Sequence, residues 1–273
     1  MNICFFTENH YKGGLDTFII NLINKWTENN DILTLVCNKS HPGLNNIEDK
    51  IYRSITIKKY SRLFTSRVAQ GQSSLKYSQS YFIRVFFLLA FQILQYPILF
   101  PWYIFSLTVY FRRSNFDRLM VINGGYPASI LCRCAIISWR LSGKKSPAIL
   151  NFHNSAVKPP WYFSFPEYLI DVAVNWASGH IVSVSNNCIN TLANRKAFVN
   201  NTKLSYIYNG IEDPILLVNQ ENTNIIKQKF SEPCCIMLAT YEERKGYDYL
   251  LQAFKIVVEK IPRASLNIYG YGT

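Results

Sequence analysis

Two adjacent cations and a glycine, Arg244-Lys245-Gly246, stand between an apolar run, Cys234 to Ala239, and a stretch where Leu250, Leu251, Phe254, Val257, Val258 and Ile261 recur at helical spacing up to Pro262. The first amides of a helix are unpaired and point the same way, so cations and a glycine at such a turn suit an anion. Other candidates each follow an apolar run: Gly13-Gly14, Asn123-Gly124-Gly125-Tyr126, His153, and Asn209-Gly210. Glycines let a ligand approach the backbone with no Cβ in the way. An imidazole at a strand end can orient a hydroxyl or relay a proton. Each has a plainer reading beside it: a solvated charge pair, an ordinary turn, a hydrogen-bonded structural histidine. His10, His41 and His180 read as structural or solvent-exposed. No carboxylate pair is assigned, and no cysteine or histidine spacing suggests a metal.

The elements that must position these residues alternate. Strands are expected at Asn2 to Phe6, Asp31 to Cys37, Ile51 to Ile57, Arg118 to Asn123, Pro147 to Phe152, His180 to Ser185 and Lys203 to Tyr208. Helices fall between them. Leu15, Phe18, Ile19, Leu22, Ile23 and Trp26 share one face. A four-turn helix ends near Leu141 and is closed by Gly143. Residues 161–178 become helical after Pro166, and Ser185 or Asn186 caps the next helix. Alternation of this kind predicts an α/β fold with a doubly wound parallel sheet, whose ligands bind at the carboxyl edge. Cys234 to Ala239, the following helix and Leu266 to Tyr269 form a second strand–helix–strand unit, ending in Gly270-Tyr-Gly272.

The chain has 273 residues, 49% of them hydrophobic, and a formal net charge of +12. From Ile51 to Phe116 there is no Asp or Glu, while ten Lys and Arg lie between Lys50 and Arg113. Such a patch implies an anionic partner. Nucleic acid is disfavoured, because the acid-free region coincides with an apolar segment rather than with base-stacking aromatics on a sheet. Residues 58–80 read as a polar loop. Residues 81–111 read as a helical hairpin broken at Pro97 and Pro101, either buried in the core or lying in a membrane interface. A true span would put the early and late strands on opposite sides of a bilayer. The seven cysteines sit mostly in apolar runs and read as reduced buried thiols. The N-terminus reads as a first strand, not a signal peptide.

Tyr241-Glu-Glu-Arg-Lys-Gly-Tyr-Asp-Tyr-Leu-Leu and Ile268-Tyr-Gly-Tyr-Gly resemble the start of the second domain in family-4 retaining glycosyltransferases of the GT-B fold. The Gly-Gly loop, the strand ending in His153, the Val-Ser strand and Asn209-Gly210-Ile211 occur in that family's order. Thr240 stands where many members have an Arg, and Arg244 supplies a second cation instead. The resemblance implies a GT-B architecture. Residues 1–211 would form an N-terminal Rossmann-like, acceptor-side domain with a basic and apolar insertion at 58–115. Residues 212–233 would be a linker, with a short helix near Ile225 to Phe230, and residues 234–273 the beginning of a second Rossmann-like, donor-binding domain.

The activity implied is hexosyl transfer with retention, from a nucleotide-diphosphate sugar to a glycan or lipid-linked acceptor. The setting implied is polysaccharide or lipopolysaccharide assembly, peripheral on the cytoplasmic face of an anionic membrane. By the same resemblance His153 is catalytic. Gly13, Gly14, Arg244, Lys245, Asn209 and Gly210 bind the donor, and Asn123 and Tyr126 the acceptor. No metal or other cofactor is implied. The family's Glu-x7-Glu segment lies beyond Thr273, so the 273-residue chain is expected to be inactive by itself. A non-catalytic remnant, or a membrane- or acceptor-binding module, is the alternative.

Overall fold

The computed structural model describes residues 1–61, 95–210 and 232–270. The chain divides into two compact units, Met1–Gly210 and Ile211–Thr273. In the first, seven parallel strands form one sheet: β1 (Asn2–Thr7), β2 (Ile32–Asn38), β3 (Thr56–Tyr60), β4 (Arg118–Asn123), β5 (Ala148–Phe152), β6 (Ser178–Ser183) and β7 (Leu204–Tyr206). Their order is β3-β2-β1-β4-β5-β6-β7. The order reverses between β1 and β4, which pair in register from Ile3↔Arg118 to Thr7↔Ile122. In a doubly wound sheet this is the switch point, where the flanking connections diverge and leave a crevice.

Alternation along β1 shows how the sheet is buried. Ile3 and Phe5 join the cluster formed with Ile19, Ile20 and Ile23 of α1 (Gly14–Asn24) and Leu44 and Ile47 of α2 (Leu44–Lys50). Cys4 and Phe6 join the opposite cluster with α3 (Phe100–Arg113), α4 (Ile130–Leu141) and α5 (Ser164–Ala177). Both faces are therefore covered, as parallel sheets require. α4 is buried without a break from Leu131 to Trp139, because α3 and α5 pack on either side of it; Ser138 donates to the Ile104 carbonyl at 2.9 Å. Ser129 caps α4 and Ser185 caps α6 (Asn186–Asn190), each accepting from a backbone N–H at 3.1 Å.

Three local expectations shift. β3 begins at Thr56 rather than Ile51, because α2 runs through Lys50 and Ile51 N–H closes its last turn on Ile47 at 3.1 Å. Lys58 to Tyr60 belong to this strand, not to a loop, and pair with Val36 to Asn38. Pro101 does not break the apolar segment; it sits in the first turn of α3, where a missing N–H costs nothing. α3 is the crossover from β3 to β4, with Phe100, Tyr103, Leu107 and Phe111 buried against the core. Of the expected hairpin, residues 81–94 lie outside the described residues, as do residues 62–80 of the expected loop and 212–231 of the expected linker with its short helix. Among the described residues no helix is long and apolar enough to cross a membrane.

In the second unit β8 (Cys234–Leu238) and β9 (Ser265–Tyr269) pair in parallel and are joined by α7 (Tyr247–Lys260). Cys4, Cys37, Cys132, Cys134 and Cys188 are buried free thiols, as their apolar neighbours predict, whereas Cys235 on β8 is exposed.

Candidate functional site

The carboxyl edge at the switch point gathers the loops after β1, β2, β4 and β5. Gly13 ends the first loop as the N-cap of α1. A Cβ at Gly13 or Gly14 would meet no protein atom within 4 Å. Nothing in the fold demands glycine at either position, and both leave open space. The α1 terminus is organised by Asp16, which is 1% exposed. Its carboxylate accepts from Gly13 N–H at 3.1 Å, Asn9 Nδ2 at 2.9 Å and His41 Nε2 at 2.9 Å. Asn9 and Asn38 exchange two hydrogen bonds, tying the β1 loop to the end of β2.

Glu8 follows β1 directly and is 4% exposed. One carboxylate oxygen accepts from Ser129 Oγ and from Leu131 N–H, the latter at 3.2 Å, so Glu8 closes the N-terminus of α4. The other has no hydrogen bond and lies 3.7 Å from His10 Nε2. Glu8, Asn9 and Asp16 were not among the sequence candidates. Their position beside the first strand and the Gly-Gly pair was the available signal.

His153 follows β5. Its N–H donates to the Asn123 carbonyl at 3.2 Å, and its Nε2 donates to Asn151 Oδ1 at 2.7 Å. The ring stands edge-on to Phe18 of α1, 4.2 Å between centroids. Burial lowers its pKa from 6.5 to about 4. The imidazole is therefore neutral at pH 7, with Nδ1 carrying the lone pair. Such a ring accepts a hydrogen bond from a hydroxyl and is a weak base, so its geometry suits orientation more than proton abstraction.

The β4 and β5 loops are fastened together. Asn154 Nδ2 donates to the Gly124 carbonyl at 2.5 Å, and Val157 N–H donates to the Tyr126 carbonyl at 2.8 Å. Asn123 is 1% exposed and its amide holds its own loop, through the Pro127 carbonyl and Ser129 N–H. Tyr126 is also 1% exposed; its hydroxyl donates to Asp171 at 2.6 Å. Neither side chain faces the edge, so what this loop offers a ligand is the backbone around Gly124 and Gly125. Beneath it lies a buried ionic cluster. Arg195 bonds Asp171 at 2.7 Å, Glu167, and the Val157 carbonyl at 2.7 Å, while Arg133 bonds Glu167 at 2.9 and 3.0 Å. Burial pushes the Glu167 carboxyl up, but Arg133, Tyr96 and Arg195 outweigh it and hold it below its ordinary value.

The structure thus brings Gly13, Gly14, the Asn123–Gly125 backbone and His153 to one edge. Asn209 and Gly210 lie beyond the end of β7, both exposed and three strands from β4.

In the second unit Gly246 caps α7 with φ 72°, a left-handed conformation that favours glycine. Lys245 precedes it, exposed and without an ion pair among the described residues; the Arg244 side chain lies outside the described part. Tyr247 Oη donates to the Ala239 carbonyl at 2.8 Å, fixing the helix start against the end of β8. Gly270 is required by contact, since a Cβ there would fall 1.9 Å from the Ala239 carbonyl oxygen.

No protein-family model and no curated protein sequence matches the chain. Solved structures do. A UDP-GlcNAc 2-epimerase from Neisseria meningitidis bound to UDP-GlcNAc superposes with a TM-score of 0.54 at 12% identity, over 98% of this chain and 65% of the other. An α,α-trehalose-phosphate synthase (UDP-forming) from Burkholderia vietnamiensis gives 0.57 at 10% identity, over 99% and 64%. The N-terminal domain of a Candida albicans trehalose-6-phosphate phosphatase gives 0.58 at 10% identity, over 100% and 64%. These likenesses show the fold, an α/β Rossmann-like architecture of the GT-B type. The chain spans less than two-thirds of the length of these structures.

Proposed function

We propose that this chain belongs to a sugar-nucleotide-dependent glycosyltransferase that acts with retention in polysaccharide or lipopolysaccharide assembly, peripheral to a membrane. The observation that carries the reading is the switch-point edge, where a neutral His153 follows β5 on the same sheet edge as Gly13 and Gly14, at which a Cβ would meet no protein atom within 4 Å. A polyhydroxylated ligand suits this edge: glycine leaves room for it and the imidazole accepts from one hydroxyl. Lys245 and Arg244, at the start of α7, are assigned to the diphosphate, whose charge grows as the leaving group departs. Asn209 and Gly210 are assigned to the junction of the two units. The acceptor is a glycan or lipid-linked sugar. Support comes from the shared fold, two of whose representatives are named for UDP-linked chemistry.

The test is binding and turnover with a panel of sugar nucleotides. Saturable binding weakened by Lys245→Ala and by Gly13→Val, with nucleoside diphosphate released in the presence of an acceptor extract, supports transfer. Interconversion of the sugar nucleotide without an acceptor would replace transfer by epimerisation. No binding to any nucleotide would sink both.

A further inference from the structure

We propose that the outward faces of α5 and the start of α3 form a bilayer-contact surface whose basic rim binds anionic lipid headgroups; this deepens the membrane part of the reading above by naming the face.

α5 is apolar on both sides, with Ile170, Val174 and Ala177 in the core, whereas an ordinary surface helix turns polar residues to water. Its inward side carries Glu167 and Asp171, bound to Arg133 and Arg195. Its outward side carries Phe165, Leu169, Val172 and Trp176, 73, 52, 43 and 54% exposed, spaced along one helix face for about 16 Å. Trp161, just before the helix, is 86% exposed. α3 and the turn before it repeat the pattern, with Ile98, Trp102 and Phe105 all more than half exposed at i, i+4 and i+7. The segments that lead into the two helices touch where Tyr96 packs on Phe163, 5.3 Å between centroids, and donates to Glu167 at 2.8 Å. Exposed apolar side chains repeated along one helix face, as on α5, mark an interaction site.

Charge selects the partner. Between Arg118 and Gly210 the only carboxylates are Glu167 and Asp171, and both are buried and paired. The charges exposed beside the α5 stripe are cations: Lys158 ahead of Trp161, and Arg140, whose guanidinium lies 5.7 Å from the Trp176 ring centroid. Arg112 and Arg113 end α3. A second copy of this chain would oppose like charges, whereas an anionic bilayer complements them. Trp and Tyr are the side chains that settle at headgroup depth, with an apolar ring and a polar handle.

The full chain is tested by co-sedimentation with phosphatidylcholine vesicles, with and without phosphatidylglycerol. We expect binding about tenfold or more tighter to the anionic vesicles. The double variant Phe165→Ser/Trp176→Ser should lose about tenfold or more. Tyr52→Ala, an exposed aromatic near α2 on the other sheet face, should bind as the parent does. Quenching of the parent's tryptophan fluorescence by brominated lipid gives a reading independent of how the variants fold. Unchanged binding by the double variant, equal binding to both vesicles, or a dimer that the double variant dissolves would overturn the proposal. Sugar-nucleotide binding by the same samples reports separately on the transferase reading.

Discussion

Phe18 stands edge-on to His153, 4.2 Å between ring centroids, and joins the first helix of the sheet to the end of its fifth strand. This contact contributes to the burial that lowers the histidine's pKa to about 4. Phe18→Ala should therefore raise that pKa toward 6.5, read by NMR titration of the ring. An unchanged value would mean that Phe18 does not shield the imidazole.

The same shift has a stability sign. Above pH 6.5 His153 is neutral folded or unfolded and contributes nothing. Between 6.5 and about 4 the unfolded chain takes up a proton that the folded one refuses. Stability should fall across that window by about 1–2 kcal/mol, reduced from the full linkage value because part of the ring stays solvated. His153→Asn should flatten that part of the pH profile in denaturant titrations; an unaltered slope would assign the effect to other groups.

Arg195→Met should destabilise the first unit by about 3–5 kcal/mol, since it leaves Glu167 and Asp171 with buried charge that Arg133 alone cannot compensate. Tyr126→Phe removes one hydrogen bond to Asp171 and should cost about 1–2 kcal/mol. Chemical denaturation measures both. A cost for Arg195→Met no larger than for Tyr126→Phe would show the cluster to be worth little as an ionic network.

Gly13→Val and Gly270→Ala separate ligand space from packing. At Gly13 a Cβ would meet no protein atom within 4 Å, so Tm should hold while sugar-nucleotide binding weakens. At Gly270 a Cβ would fall 1.9 Å from the Ala239 carbonyl oxygen, so the β8–β9 pair must shift, at about 1–3 kcal/mol. Hydrogen exchange in the second unit reads that cost; full protection there would contradict the contact.

Lys245→Ala should weaken binding of a sugar nucleotide about tenfold or more, and the loss should shrink as salt rises. Calorimetric titration measures it. Equal affinity in parent and variant would leave Lys245 a solvated cation beside a glycine cap.

Periodicity determined much of the fold by itself. β1, β2 and β4, whose runs are apolar on both faces, and α1 and α4, with sustained helical spacing, were legible within a residue or two. Strands after which Gly-Gly or His153 follows could be placed at one edge, because parallel strands all point the same way. Three-dimensional packing alone decided the rest. Nothing local shows that Asn123 and Tyr126 turn inward, because a polar side chain at a strand end can serve either a ligand or its own loop; here Pro127, Ser129 and Asp171 claim them. Glu8 and Asp16 emerged only once the sheet order set them beside α4 and His41. The outward stripe of α5 is likewise invisible to periodicity. Both sides of that helix are apolar, and only the pairing of Glu167 and Asp171 with Arg133 and Arg195, distant in sequence, settles which side faces the core.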